Sequence, residues 1–370
     1  MNAQNQQTDP TPLDDLSTKI LHSLHVDGRA SWSQVAQEVD SSTSTVRRRY
    51  QTLEQSGRLR VVGRTDVSVL GSTLTAVVQL RGPDVGTEPF VESLQRRPEM
   101  RYLGSVLGSS DGIAELVVQS PAELHAALGE VTRKFEVEAE PFVIAHTHTM
   151  GLDWVPEGTP KPRDLGTRKI KADLSASEGT VLGLLMRNGR ISLGELGAAI
   201  GKSETTARRV MESLKARDIL SFRVLVEPIR LGFQAEYWMW LDVEPSQRAS
   251  VGKTLSVHPA TKFLAATSGR YGVVGQVVLR STRELYGYMT ELLGDIPGIR
   301  GVEMMMMVET HKRMWHPVEN AAYGNVLGPD WLFSSDERLE SQKTSEDVTQ
   351  ISVAPPIRPS RSTLNMQEKL

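Results

Sequence analysis

Apolar positions near the start of the chain recur at helical spacing. Leu13, Leu16, Ile20, Leu21 and Leu24 form one stripe, and Asp27-Gly28 stops it. Ser31-Trp32-Ser33 opens a second helix with Val35, Ala36 and Val39 inward; after a short turn, Ser42 to Ser44 opens a third with Val46, Tyr50 and Leu53 inward. A capped short helix, a tight turn and a capped longer helix predict a helix-turn-helix. The pattern then becomes strand-like. Leu59 to Val69 is rich in β-branched residues and carries Arg60 and Arg64, which predicts a basic strand pair, or wing. Further on, a strand over Leu74 to Leu80, a helix with Phe90, Val91 and Leu94, strands over Tyr102–Leu107 and Ile113–Val118, a helix from Ser120 and a last strand over Phe142–Thr149 give the order βαββαβ of a ferredoxin-like unit.

The same series then recurs. Leu13 to Met150 aligns with Leu174 to His311 at a constant offset of 161, without a gap. Gly28-Arg29 falls on Gly189-Arg190, Arg47-Arg48 on Arg208-Arg209, Leu70-Gly71 on Leu231-Gly232, Pro98 on Pro259 and Gly108 on Gly269. The expected fold class is therefore α/β (α+β): two repeats, each a winged helix-turn-helix followed by a ferredoxin-like βαββαβ domain. Residues 13–71 form the first helix-turn-helix domain and 72–150 the first ferredoxin-like domain; 151–173, with Pro156, Pro160 and Pro162, is a linker. Residues 174–232 and 233–316 repeat the two domains, and 334–370, rich in Ser, Glu and Gln, is a disordered tail. The helix-free face of such a sheet needs a cover, so a homo-oligomer formed through the ferredoxin-like sheets is expected.

Composition narrows the classes. The 370 residues hold no cysteine, 39% hydrophobic and 24% charged residues, and no apolar run long enough for a membrane helix. Disulfides and thiolate metal sites are excluded, and with a polar N-terminus the expected location is cytoplasmic with no membrane partner. A net charge of −3 argues against a wholesale polyanion binder, so any nucleic-acid surface must be local. Such a patch exists. From Arg47 to Arg64 there are six arginines against Glu54 alone. The third helix carries Ser42, Thr43, Ser44, Thr45, Arg47, Arg48 and Gln51, with Arg60 and Arg64 on the wing. Its counterpart carries Ser203, Glu204, Thr205, Thr206, Arg208 and Arg209, with Arg223 on its wing. Hydroxyls, an amide and guanidiniums suit base edges and phosphates, which points to double-stranded DNA. With different residues on the two faces, the two readers need not prefer identical sequences.

These features together resemble the Lrp/AsnC family, the leucine-responsive or feast/famine regulators. The resemblance runs from Leu13-Asp14 and Ile20-Leu21 through Asp27-Gly28-Arg29 and the reader helix to Leu70-Gly71, and again through the second segment. It implies a sequence-specific transcriptional regulator in a tandem-duplicated form, not an enzyme, without a cofactor. It also implies an effector-binding (RAM-type) domain that takes a small molecule such as an amino acid, near a Gly-x-x-Asp turn. The implied effector residues are Ser105, Gly108, Ser109 and Asp111, with Ala266, Thr267, Gly269, Arg270 and Tyr271 as the second set; the second turn reads Gly269-Arg270-Tyr271-Gly272, without the carboxylate. The alternative account of each turn is a hairpin that needs Gly and polar residues only for its geometry.

Two alternatives stay open on sequence: an enzyme resembling siroheme decarboxylase, in which His146 and His148 would act, and a nucleoid-type architectural protein. His146 and His148 alternate on one strand face with no third metal ligand in view, and Met304 to Met307 reads as a strand packing alternately on a core and an interface. Trp238 and Trp240 read as interface aromatics.

Overall fold

The computed structural model describes residues 11–67, 73–156 and 174–328. The expected junctions at Leu70-Gly71 and residue 72, most of the linker and the 334–370 tail lie outside the described residues.

Helices α1 (Asp15–Val26), α2 (Trp32–Glu38) and α3 (Thr43–Gln55) form where the apolar stripes predict them. Each begins at a cap: Asp14 accepts from the Ser17 N–H, Ser31 and Gln34 form a capping box, and Ser42 accepts from the Thr45 N–H. Strand β1 (Arg60–Arg64) follows. In the second segment α6 (Ala176–Arg187), α7 (Leu193–Ala199), α8 (Glu204–Ala216) and β6 (Ser221–Leu225) come in the same order, with Ser175, Ser192 and Ser203 as caps.

The expected wings differ from what is observed. Among the described residues neither segment folds a strand pair of its own; β1 pairs antiparallel with β6, Arg60 opposite Leu225 and Arg64 opposite Ser221. The reason lies in the packing: Ile20, Leu24, Val46, Leu53 and Val61 from one segment and Val181, Leu185, Leu196, Met211 and Phe222 from the other lie in one continuous core, so each lone strand finds its partner across that core.

Between the helical parts lie β2 (Leu74–Arg81), α4 (Glu88–Gln95), β3 (Met100–Leu107), β4 (Gly112–Val118), α5 (Pro121–Lys134) and β5 (Glu138–Thr149), in the spatial order β3-β4-β2-β5. After β6 come β7 (Ala235–Val243), α9 (Arg248–Ser256), β8 (Thr261–Thr267), β9 (Val273–Leu279), α10 (Glu284–Gly287) and β10 (Ile299–Arg313), in the order β8-β9-β7-β10. Strand β5 pairs with β8, and β10 pairs with both β7 and β3, so the sheets join at both edges into a closed ring of eight strands. Their helix-free faces meet inside it through Val77, Tyr102, Phe142, Trp238, Trp240 and Met305. The face expected to bring together separate molecules is thus covered within one chain. The methionine run alternates as its spacing predicts, with Met305 inside the ring and Met304 and Met306 against the outer core under α9. A hairpin, β11 (His316–Glu319) and β12 (Ala322–Tyr323), extends the sheet from the end of β10. Among the described residues no helix is long and apolar enough to cross a membrane.

Candidate nucleic-acid interface

On α3 the caps fix which side chains face outward. Ser42, Thr43, Ser44, Arg47, Arg48 and Gln51 are exposed and Thr45 is half-buried, while Val46, Tyr50 and Leu53 are inside. The Ser42 hydroxyl bridges Ser44 and Thr45 at 3.0 and 2.8 Å, which orders the first turn of the helix. On α8, Ser203, Glu204, Thr205, Arg208 and Arg209 are exposed and Thr206 is half-buried, with Ala207, Met211 and Leu214 inside. No salt bridge to Arg47, Arg48, Arg208 or Arg209 is formed among the described residues. The two faces therefore offer uncompensated guanidiniums beside hydroxyl groups at the N-terminal turn of a helix, where the aligned backbone dipoles add further positive potential.

The strand arginines lie elsewhere. Arg64 and Arg223 are 6% and 3% exposed. Both reach one carboxylate, Asp153 in the short turn after β5, at 2.8 and 2.7 Å. Half-buried Arg60 donates twice to the Tyr323 carbonyl. A guanidinium enclosed by protein and spent on a carboxylate or carbonyl is not presented to phosphate, so the expected wing contacts of Arg60, Arg64 and Arg223 are replaced by structural ones.

A second pair of arginines, singled out in the sequence only as matched positions, locks the helical parts together. Arg29 donates to the carbonyls of Gly189 and Ile191 at 2.8 and 3.0 Å, and Arg190 donates to those of Gly28 and Ala30 at 2.7 and 3.0 Å. The Arg190 guanidinium also sits 3.8 Å from the centre of the Trp32 ring. Gly28 is required for this approach, since a Cβ there would lie 2.7 Å from the Phe222 Cβ. The recurrence of Gly-Arg at the same place in both segments was the available signal.

The expected effector residues occupy the end of the ring where β2 finishes and β5 begins. Asp111 accepts from the Gly82 N–H at 2.8 Å, and Ser105 is bonded to His311 at 2.8 Å. Gly108 and Ser109 are exposed in the β3–β4 turn. In the β8–β9 turn, Gly269 has φ +95°, Thr267 donates to the Tyr271 carbonyl, half-buried Ala266 pairs with His146, and the Tyr271 hydroxyl donates to Glu303. The two turns communicate: Arg81 donates to the Ser109 carbonyl and reaches Glu140, which also takes Arg270 at 2.9 Å. Ser105, Asp111, Thr267, Arg270 and Tyr271 thus each have a partner within the protein, and the Ser109 carbonyl accepts from Arg81.

His146 and His148 stack edge to face with ring centres 4.6 Å apart. The His148 Nε2 is buried without a partner, and burial pushes its pKa down. No cluster of three metal-ligating side chains occurs among the described residues.

Comparison with known proteins places the helical part. An AsnC-type helix-turn-helix domain matches residues 13–54. The chain is 30% identical over 133 residues to an uncharacterized HTH-type transcriptional regulator of Pyrococcus furiosus, a match that covers 36% of this chain and 90% of the relative. It is 28% identical over 143 residues to another from Pyrococcus abyssi, covering 38% and 90%. Among solved structures it is similar to the siroheme decarboxylase NirDL, with a TM-score of 0.57 and 13% identity over 90% of this chain and 100% of that one. That likeness is one of fold.

Proposed function

This chain belongs to the family of AsnC-type helix-turn-helix transcriptional regulators, and from that premise we propose that it is a tandem-duplicated member, in which one chain carries two readers for DNA. The observation that carries this reading is the pair of capped helices α3 and α8, each with an outer face of hydroxyls and unpaired arginines, held on a common core by β1–β6 pairing and the Arg29 and Arg190 contacts. Arg47, Arg48, Arg208 and Arg209 supply phosphate affinity; Ser44, Thr45, Thr205 and Thr206 set register and sequence. Because Glu204 and Glu212 stand where the first reader has Thr43 and Gln51, the operator is expected to be asymmetric. The element order after each reader supports a ferredoxin-like sensing domain, and the turns around Asp111 and Arg270 remain the family-type effector positions. With the helix-free sheet faces already paired, any homo-oligomer would use other surfaces.

The test is binding to the DNA flanking the protein's own coding region against random DNA of equal length, over a salt series and with amino acids added. Preference for the flanking DNA supports the regulator. Equal affinity for both points to architectural binding, and no binding at low salt overturns the reading.

A further inference from the structure

A cavity of about 390 Å³ lies between the helical pair and the ring of strands, at the opposite end of β2 from the two turns described above. Cavities of this size accept small organic ligands. Its walls include Phe263, Trp154, Leu152 and Val224, and it borders Ala145 and His146, exposed on β5. Polar groups gather on the strands: Arg101, Glu115, Lys262 and Gln276.

Those four residues form two corresponding pairs. At the offset of 161, Arg101 corresponds to Lys262 and Glu115 to Gln276. Corresponding strand irregularities, between Met100 and Tyr102 and between Thr261 and Phe263, accompany both cations. In the first pair the guanidinium and the carboxylate satisfy each other through two hydrogen bonds. In the second pair the carboxylate is gone. The Gln276 Nε2 is buried with no partner, on a residue 4% exposed, and Lys262 turns to Glu236 at 3.1 Å, a carboxylate it shares with Arg313. Burial, with the Arg313 charge, pushes the Lys262 ammonium down to about 8 against the pull of Glu236 and Glu227, the latter pairing with Arg313 at 2.8 Å. Gln276, with its orphaned N–H group, and Lys262, whose one carboxylate is shared with Arg313, both border this space beside the rings of Trp154 and Phe263.

We infer that this cavity binds a small aromatic carboxylic acid, whose carboxylate takes beside Gln276 and Lys262 the place that Glu115 fills beside Arg101, and whose ring lies against Trp154 and Phe263. The inference deepens the regulator reading by giving it an effector site distinct from the two turns. The cavity wall also holds the coupling. It includes Val224 and Leu225 of β6 and the strap from Met150 to Pro156, within which Asp153 holds Arg64 of β1 and Arg223 of β6. A ligand that presses on this strap acts on the only strand pairing between the two readers among the described residues.

The experiment is calorimetric titration of the full chain, without DNA, with indole-3-acetate, phenylpyruvate and 4-hydroxybenzoate, and with indole-3-acetamide as the uncharged counterpart. Saturable binding of an acid, at least about ten-fold tighter than that of the amide, is expected. Gln276→Glu restores the missing carboxylate inside the protein and should weaken acid binding at least about ten-fold by like-charge repulsion. Gln276→Leu, uncharged and of similar volume, should lose the preference for acid over amide and serves if the first variant fails to fold. Absence of heat with all three acids at about 10 mM, equal binding of acid and amide, or unchanged affinity in both variants overturns the inference. Since no DNA is present, each of these outcomes is independent of the regulator reading, which the flanking-DNA assay tests.

Discussion

Replacing Asp153 with alanine removes the carboxylate that two buried guanidiniums share. Arg64 Nη2 lies 2.8 Å from one of its oxygens and Arg223 Nε 2.7 Å from the other, with the arginine side chains only 6% and 4% exposed. Breaking a buried pair by deleting one partner costs about 3–5 kcal/mol, because the remaining charge stays desolvated. Two charges are left here, but Asp153 itself is 24% exposed and water can enter the vacated space, so the expected loss stays within that range. With a urea slope of about 2 kcal/mol/M, the unfolding midpoint should fall by roughly 2 M. Far-UV circular dichroism of the full chain in a urea series reads this directly. The triple variant Arg64→Met, Asp153→Leu, Arg223→Met separates the causes, since removing all three charges together should recover most of the loss. A drop below about 1 kcal/mol for Asp153→Ala, the size of an exposed ion pair, would refute the argument that this triad is buried and joins the two strands.

Arg47→Ala should weaken DNA binding on all sequences and lower the slope of log affinity against log salt by about one unit; an unchanged slope removes Arg47 from the interface. Converting the α8 face to that of α3 by Glu204→Thr, Thr205→Ser and Glu212→Gln removes two carboxylates from it and should raise affinity at low salt and shift selected sites toward palindromes; selection from random DNA that returns the same sites as the parent would refute the two-reader account. Stability should also depend on pH through His25 and His316, each pushed down to about 4, first by burial. Their folded pKa values lie below the unfolded value of about 6.5, so the unfolded chain takes up protons first as pH falls. Stability is thus full above about pH 6.5 and declines toward pH 4 by as much as ~1.4 kcal/mol per unit for each histidine. Urea midpoints that do not fall between pH 7 and pH 5 would place both rings in contact with water.

Much of the local structure was legible because it depends on local chemistry. The caps at Ser31, Ser42, Ser192 and Ser203 and the change of apolar period from helix to strand located the helix-turn-helix and βαββαβ elements to within a few residues. The pairing of β1 with β6 was not legible, since an isolated basic strand looks the same whether its partner is adjacent in sequence or far along the chain. The same limit misplaced Arg64 and Arg223: a charged residue on a strand reads as solvent-facing unless its counter-ion is known, and Asp153 lies far from both in sequence. The β11–β12 hairpin escaped notice because its turn uses Asn320-Ala321, at φ 50° and 55°, where an Asn-Gly pair would have announced it. The cavity could not be read at all, because its walls come from elements of both segments.

On the tandem-duplicated reading proposed above, joining two such units in one chain changes what substitution can do. In an assembly of identical subunits every replacement appears on both sides of the axis, so a ligand pocket, a reader face and a charge pair change together. Here the positions that hold the halves together match, with Gly28-Arg29 and Gly189-Arg190 making reciprocal bonds across the helical pair. Several positions that face outward or border the cavity do not match, Thr43 against Glu204, Gln51 against Glu212 and Glu115 against Gln276, although the exposed Arg47-Arg48 and Arg208-Arg209 do. The frame therefore stays two-fold while its chemistry becomes one-sided. A one-sided chemistry can orient the protein on an asymmetric stretch of DNA and leave an unpaired donor on one side of the cavity, two properties that a symmetric dimer of either half would lack.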